Sequence, residues 1–144
     1  MSIWPTVEVE RRALARDLRE LPDAQWDTPS LCAGWTVRDV LAHMTATAKI
    51  AAPAFFPKLV GSGFSLGRMQ AKDLARERGA SAAETLAGFE SIVSSRKHPP
   101  GPTVTWLGET IVHAEDIRRP LGIAHSYPLT RSSRSPTRTS GRTW

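Results

Sequence analysis

A single cysteine, Cys32, excludes a disulfide framework within this 144-residue chain and suits a reducing compartment, so the expected location is cytoplasmic. Apolar runs of membrane-spanning length are missing too. The best, Ile50 to Phe56, is short and broken by Pro53, and no membrane is expected as a partner. The opening residues reach Glu8, Glu10, Arg11 and Arg12 with no apolar core ahead of them, which argues against a secretory signal. Strand signals are absent, and no internal repeat is visible.

Acidic residues are missing from one end. The net charge is +5, and residues 131–144 hold Arg131, Arg134, Arg138 and Arg142 with no acid, which leaves +1 for everything before them. The body of the protein is therefore nearly neutral. Four arginines in such a tail give weak, salt-sensitive, sequence-blind contact with nucleic acid, so nucleic acid is not an expected partner. The segment also has almost nothing to bury and is expected to be disordered. The chain thus divides into a folded domain over residues 1–128 and a basic Arg/Ser/Thr tail over 129–144.

What is present is helical periodicity. Val7, Leu14, Leu18 and Leu21 form one stripe, with Arg11, Arg12, Arg16 and Asp17 among the residues assigned to the other faces. Pro5 or Thr6 opens this helix and Pro22 closes it. Residues 23–35 follow no period, and Trp26 and Trp35 are expected to pack over an end of the molecule. Thr36-Val-Arg-Asp39 has the form of a capping box and opens a second helix with Val37, Val40, Leu41, Met44 and Ala48 on its apolar side. Pro53 and Pro57 end or kink it. A glycine-rich stretch, 61–67, lacks the lysine and spacing of a phosphate loop, and a short helix covers Arg68 to Arg78. Ser81-Ala-Ala-Glu84 opens a third long helix through Leu86, Phe89 and Val93. His98-Pro-Pro-Gly-Pro102 cannot continue it. A last helix runs from about Thr105 to Arg119, stopped by Pro120 and Gly122. Four main helices and one short extra predict an all-α four-helix bundle.

Glu109 and His113 stand four apart on the last helix, one above the other on a single face. A divalent metal takes about three protein groups at roughly 2.0–2.2 Å. One helix supplies two of them, and His43, on the flank of the second helix's stripe, is the candidate third. Such a set leaves positions open to water or substrate, as catalytic sites do. The pattern Glu-x-x-x-His is short, however, and a border histidine also serves as a satisfied core residue, as a border glutamate serves as a solvated one. Asp116, three residues past His113, fits either a residue orienting a ligand histidine or a helix-end ion pair. Arg118 and Arg119 fit the charge preference of a helix C-terminus. Cys32 reads as a small core residue. His98 and His125 lie beside loop-forming residues and are expected to be solvated.

Two segments carry a resemblance. Pro29-Ser-Leu-Cys-Ala-Gly-Trp-Thr-Val-Arg-Asp-Val-Leu-Ala-His-Met44 and Trp106-Leu-Gly-Glu-Thr-Ile-Val-His-Ala-Glu-Asp-Ile-Arg-Arg-Pro-Leu-Gly122 resemble the signature segments of the mycothiol-dependent maleylpyruvate isomerase family. The resemblance covers about residues 5–128. It implies a DinB-like four-helix bundle in which His43, Glu109 and His113 are ligands of zinc or another divalent metal. It also implies mycothiol as a thiol cosubstrate, whose thiolate adds to a cis double bond of a small-molecule substrate so that the bond can rotate before the thiol leaves. Relatives are expected to use a similar thiolate for transfer. Full-length members carry a further C-terminal domain that contributes to the active site, and here the basic tail stands in its place. An impaired isomerase or transferase, a non-catalytic metal-binding remnant, and self-association through uncovered apolar surface are the resulting expectations.

Overall fold

The computed structural model describes residues 2–127, and the expected tail lies outside them. Among the described residues the fold is all-α: α1 (Trp4–Leu18), a 3-10 turn (Asp23–Asp27), α2 (Val37–Lys49), α3 (Ala52–Gly61), α4 (Leu66–Arg78), α5 (Ala82–Glu90) and α6 (Thr103–Leu121). Extended pairing among the described residues is limited to an isolated bridge between Pro29 and Thr36. None of these helices is long and apolar enough to cross a membrane.

Four helices close a ring. Both α1 and α2 pack against α5 and α6, so α1 and α2 face each other diagonally across one core. Leu14 and Leu18 of α1, Val37, Val40, Leu41 and Met44 of α2, Phe89 of α5, and Ala114 and Ile117 of α6 fill it, with Trp26 closing one side. Helix α4 packs on α2 and α5, and α3 packs on α4.

Local chemistry sets the ends of α2. Thr36 Oγ1 accepts from the Asp39 N–H at 3.1 Å and Asp39 Oδ2 accepts from the Thr36 N–H at 2.9 Å, a complete capping box. Asp39 Oδ1 also receives Arg78, which ties the start of α2 to the end of α4. At the other end Ile50 turns extended and the chain re-enters a helix, α3, which the sequence pattern did not anticipate. Pro53 falls in the first turn of α3, where a missing N–H costs nothing. This helix buries none of its residues fully, and Lys58 fastens it to the buried Asp73 of α4 at 2.7 Å.

The third long helix is a correction as well, because α5 stops after nine residues. Arg11 holds the segment that follows. Instead of lying on an outer face of α1 it is buried, and its Nη1 donates to the carbonyls of Ile92 at 3.2 Å and Ser95 at 2.7 Å. The Ile92 carbonyl also accepts from the Ser95 N–H at 2.9 Å, so a tight turn follows α5 in place of a further helical turn.

At the far end α6 runs through Pro120 and stops at Gly122, whose φ of 72° suits the left-handed position that closes a helix. Residues 123–127 then return along the bundle. His125 Nε2 meets the buried Glu10 at 2.9 Å, so this histidine is not free in solvent. Tyr127 donates its hydroxyl to Glu115 at 2.6 Å and accepts from Arg118 Nη1 at 3.2 Å. Arg118 is fully buried and paired with Asp17 of α1 at 2.8 Å, a role in joining helices rather than in decorating a helix end.

Burial, reinforced by Glu115, pushes the Tyr127 phenol up to about 12. Above pH ~10 the unfolded chain sheds that proton while the folded one keeps it, so this contribution is complete below pH ~10 and fades toward 12. Tyr127→Phe is expected to cost about 1 kcal/mol at neutral pH. It should also flatten the alkaline decline relative to wild type, as read by denaturant melts alongside phenolate absorbance, since this is the only tyrosine.

Candidate metal centre

Packing of α2 on α6 brings His43 to the face that carries Glu109 and His113. One donor atom from each of the three lies within 4.8 Å of the other two. The His43 and His113 rings meet edge to face with centroids 5.1 Å apart. Trp35 covers His43 from the other side at 5.0 Å. Both imidazoles are half-buried and Glu109 is the exposed member, so the group opens outward on the carboxylate side.

Burial, then the neighbouring His113, pulls the His43 imidazole down to about 4. It is neutral at physiological pH and has a lone pair to offer. The surroundings of His113 are more telling. Its Nε2 lies 2.8 Å from Glu109 Oε2 and its Nδ1 lies 3.2 Å from Asp116 Oδ2. A neutral imidazole has one N–H for these two carboxylates. With that proton given to Asp116, Nε2 turns a lone pair toward Glu109, and a cation between the two satisfies both. Carboxylate–histidine pairs of this kind fix the ring and tautomer of metal-ligating histidines. Two imidazoles and a carboxylate therefore fit a divalent ion.

Asp116 has a second partner. The Cys32 thiol donates to Asp116 Oδ2 at 3.1 Å, and its sulfur lies 3.9 Å from His113 Nδ1. The backbone helps, since the Leu31 N–H donates to the Asp116 carbonyl at 3.2 Å and docks the Thr28–Thr36 loop on α6. Cys32 thus packs at the edge of the core while also touching the group behind His113. Cys32, His113 and Asp116 form the other converging donor group among the described residues. Burial, followed by Asp116, pushes the thiol up to about 11. Metal ligation needs deprotonated donors, so Cys32 would have to give up that proton to join a metal, whereas His43 is already neutral at physiological pH.

Of the other residues weighed from sequence, Trp26 is in the core, while Trp106 is half-buried and lines open space beside Glu109. His98 is half-buried, stacked between Trp4 and Trp106 with centroids 5.8 and 5.9 Å away. Solvation was the wrong expectation for it. The contact of Trp35 with His43 and of Cys32 with Asp116 had no periodic signal, because both come from the loop.

The model of one family, described as the mycothiol maleylpyruvate isomerase N-terminal domain, matches residues 7–98, more than half of the chain. The chain belongs to that family. His43 lies inside the matched segment, and Glu109 and His113 follow it. Neither a curated protein nor a solved structure matches the chain.

Cys32 should be a slow nucleophile. At pH 8 its alkylation by iodoacetamide is expected to run on the order of a hundredfold below that of free cysteine. Asp116→Asn, which removes the nearby carboxylate, should speed it.

Proposed function

For this member of the mycothiol maleylpyruvate isomerase family, we propose a bundle that binds one divalent metal, zinc foremost, and activates a low-molecular-weight thiol for isomerisation or transfer on a small-molecule substrate. The observation that carries the reading is the convergence of His43, Glu109 and His113, with Asp116 behind His113. When bound, such an ion lowers the pKa of a thiol or water at its open positions.

The chain's own residues account for the rest. His43, held neutral by burial, and the Glu109–His113 pair on α6 would hold the ion. Asp116 keeps the His113 proton on Nδ1 and leaves Nε2 free. Trp35 covers one flank of His43 and keeps bulk water from it. The exposed side of Glu109 is where thiol and substrate enter. In an isomerisation the thiolate forms a C–S bond at one carbon of a cis double bond while the π pair moves onto a conjugated carbonyl, the remaining C–C single bond rotates, and the pair returns to re-form the double bond as trans while the C–S bond breaks and releases the thiolate. Mycothiol is the thiol that the family points to.

We assign the protein to the cytoplasm, where one unpaired cysteine is at home. Self-association is supported by Phe56, Val60, Phe64 and Leu66, all more than half exposed along α3 and the turn after it. Dynamic light scattering should show growth in size with concentration.

Purified protein is expected to take up one zinc per chain. His113→Ala should lose it, and Asp116→Asn should weaken it by about 10–100-fold, as measured by competition with a chromophoric chelator. Zinc retained undiminished in His113→Ala would remove the site. Incubation with mycothiol and maleylpyruvate then tests the chemistry: trans product supports the isomerase, and intact zinc without turnover identifies a metal-binding remnant.

A further inference from the structure

The three donors stand between two spaces of unequal size, the smaller of which alone takes arginine and lysine side chains into its lining. On one side a small cavity of about 30 Å³ is lined by Arg11, Lys97 and His98 together with Glu109 and His113. On the order of two water-sized groups fit such a volume. On the other side a cleft of about 320 Å³ has apolar walls that include Ile50, Phe55, Leu66, Met69, Pro99 and Pro100, and its lining also takes in His43 and Glu109. Thr47, Trp106 and Glu109 line both, so the spaces adjoin at the donor group.

Arg11 is the unusual member. A buried charge is costly unless it is paired. Only 6% of Arg11 is exposed, its hydrogen bonds go to two backbone carbonyls, and no carboxylate among the described residues forms an ion pair with it. Of the acids before it on α1, Glu8 is engaged by Arg12 and Ser94, and the adjacent Glu10 faces His125. The cavity lining therefore carries two cations, Arg11 and Lys97, against one acid, Glu109, and that acid already faces His113. The indole N–H of Trp106 is also buried without an acceptor. The charge balance calls for a small anion. In the cleft the acid Asp73 is neutralised by Lys58 at 2.7 Å and Arg76 at 2.9 Å, so the wall it belongs to offers apolar contact without repelling an anion.

We propose that this centre takes an amphipathic carboxylate, with its anionic head in the Arg11–Lys97 cavity and its apolar body in the cleft. The atoms joining head to body then pass the His43, Glu109 and His113 donors. This assignment deepens the proposed function and rests on it for what happens at the junction, although the two spaces are features of the chain itself. It also separates this chain's ligand from one that is polar throughout.

The test uses the full chain, both after chelation and after zinc loading, with acetate, hexanoate and hexan-1-ol as probes in calorimetric titrations and indole N–H spectra. Hexanoate is expected to bind at least tenfold more tightly than either acetate or hexan-1-ol. Lys97→Met, at an exposed position that leaves the core alone, should weaken hexanoate several-fold and leave hexan-1-ol unchanged. Arg11→Met should do the same where circular dichroism shows it folded. Phe55→Ser should weaken hexanoate and hexan-1-ol together. Equal binding of hexanoate and hexan-1-ol by wild type, or hexanoate affinity undiminished in Lys97→Met, would overturn the proposal. Hexanoate discrimination in a protein that takes up no zinc would sink the metal reading and leave this one standing. Zinc uptake without discrimination would do the reverse.

Discussion

Helix α2 is buried on nearly every side, and a helix so placed has little surface left on which a polar side chain can stand. His43 occupies part of what remains, and the helix that passes in front of it is α6. Everything at the candidate centre follows from that crossing. Neutrality of His43 comes first from the burial that the core imposes on α2, with the neighbouring His113 adding to it. Glu109 and His113 need only their four-residue spacing to present themselves together. Were α2 to rotate or slide on α6, the donors would part while the core residues on its other faces could still find neighbours. The capping box at Thr36 and Asp39, with Arg78 holding Asp39, fixes the start of α2 against such a slip.

Much of this was legible in the residues. The stripe Val37, Val40, Leu41, Met44 and Ala48 is the core face of α2, and Thr36 and Asp39 mark its start as their types suggest. What escaped was set by partners distant in sequence. Arg11 falls four residues after Val7 and three before Leu14, squarely in the apolar stripe of α1. Treating any arginine as an outer residue hid the fact that position outranked chemistry there, and with it the contact Arg11 makes to the segment after α5 through the Ile92 and Ser95 carbonyls. His125 and Arg118 were misjudged for a like reason. Their partners, Glu10, Asp17, Glu115 and Tyr127, are spread over both ends of the chain. At the centre, the His113–Asp116 spacing was visible beforehand, but the Cys32 contact depends on how an aperiodic loop docks. Helix α3 was hidden by Pro53, which ends one helix and begins the next.

Charged residues do much of the joining between helices. Asp17 with Arg118, Glu10 with His125, Asp39 with Arg78, Glu77 with Lys49, and Asp73 with Lys58 each link two segments, and one partner of each pair is buried. Such pairs contribute little net stability, yet breaking one strands a desolvated charge. Their effect is to penalise wrong arrangements of helices that an all-apolar core would tolerate. Arg11 stands outside this scheme, a buried cation answered only by carbonyl dipoles.

Helix α3 has another consequence. Phe55 helps to wall the cleft, yet the helix contributes no fully buried side chain and is tied down by Lys58 to Asp73. Sequence drift along it is therefore cheap in fold stability while it reshapes the space beside His43. On the proposed reading, ligand choice and structural integrity reside in different helices, and the first can diversify while the second is held constant.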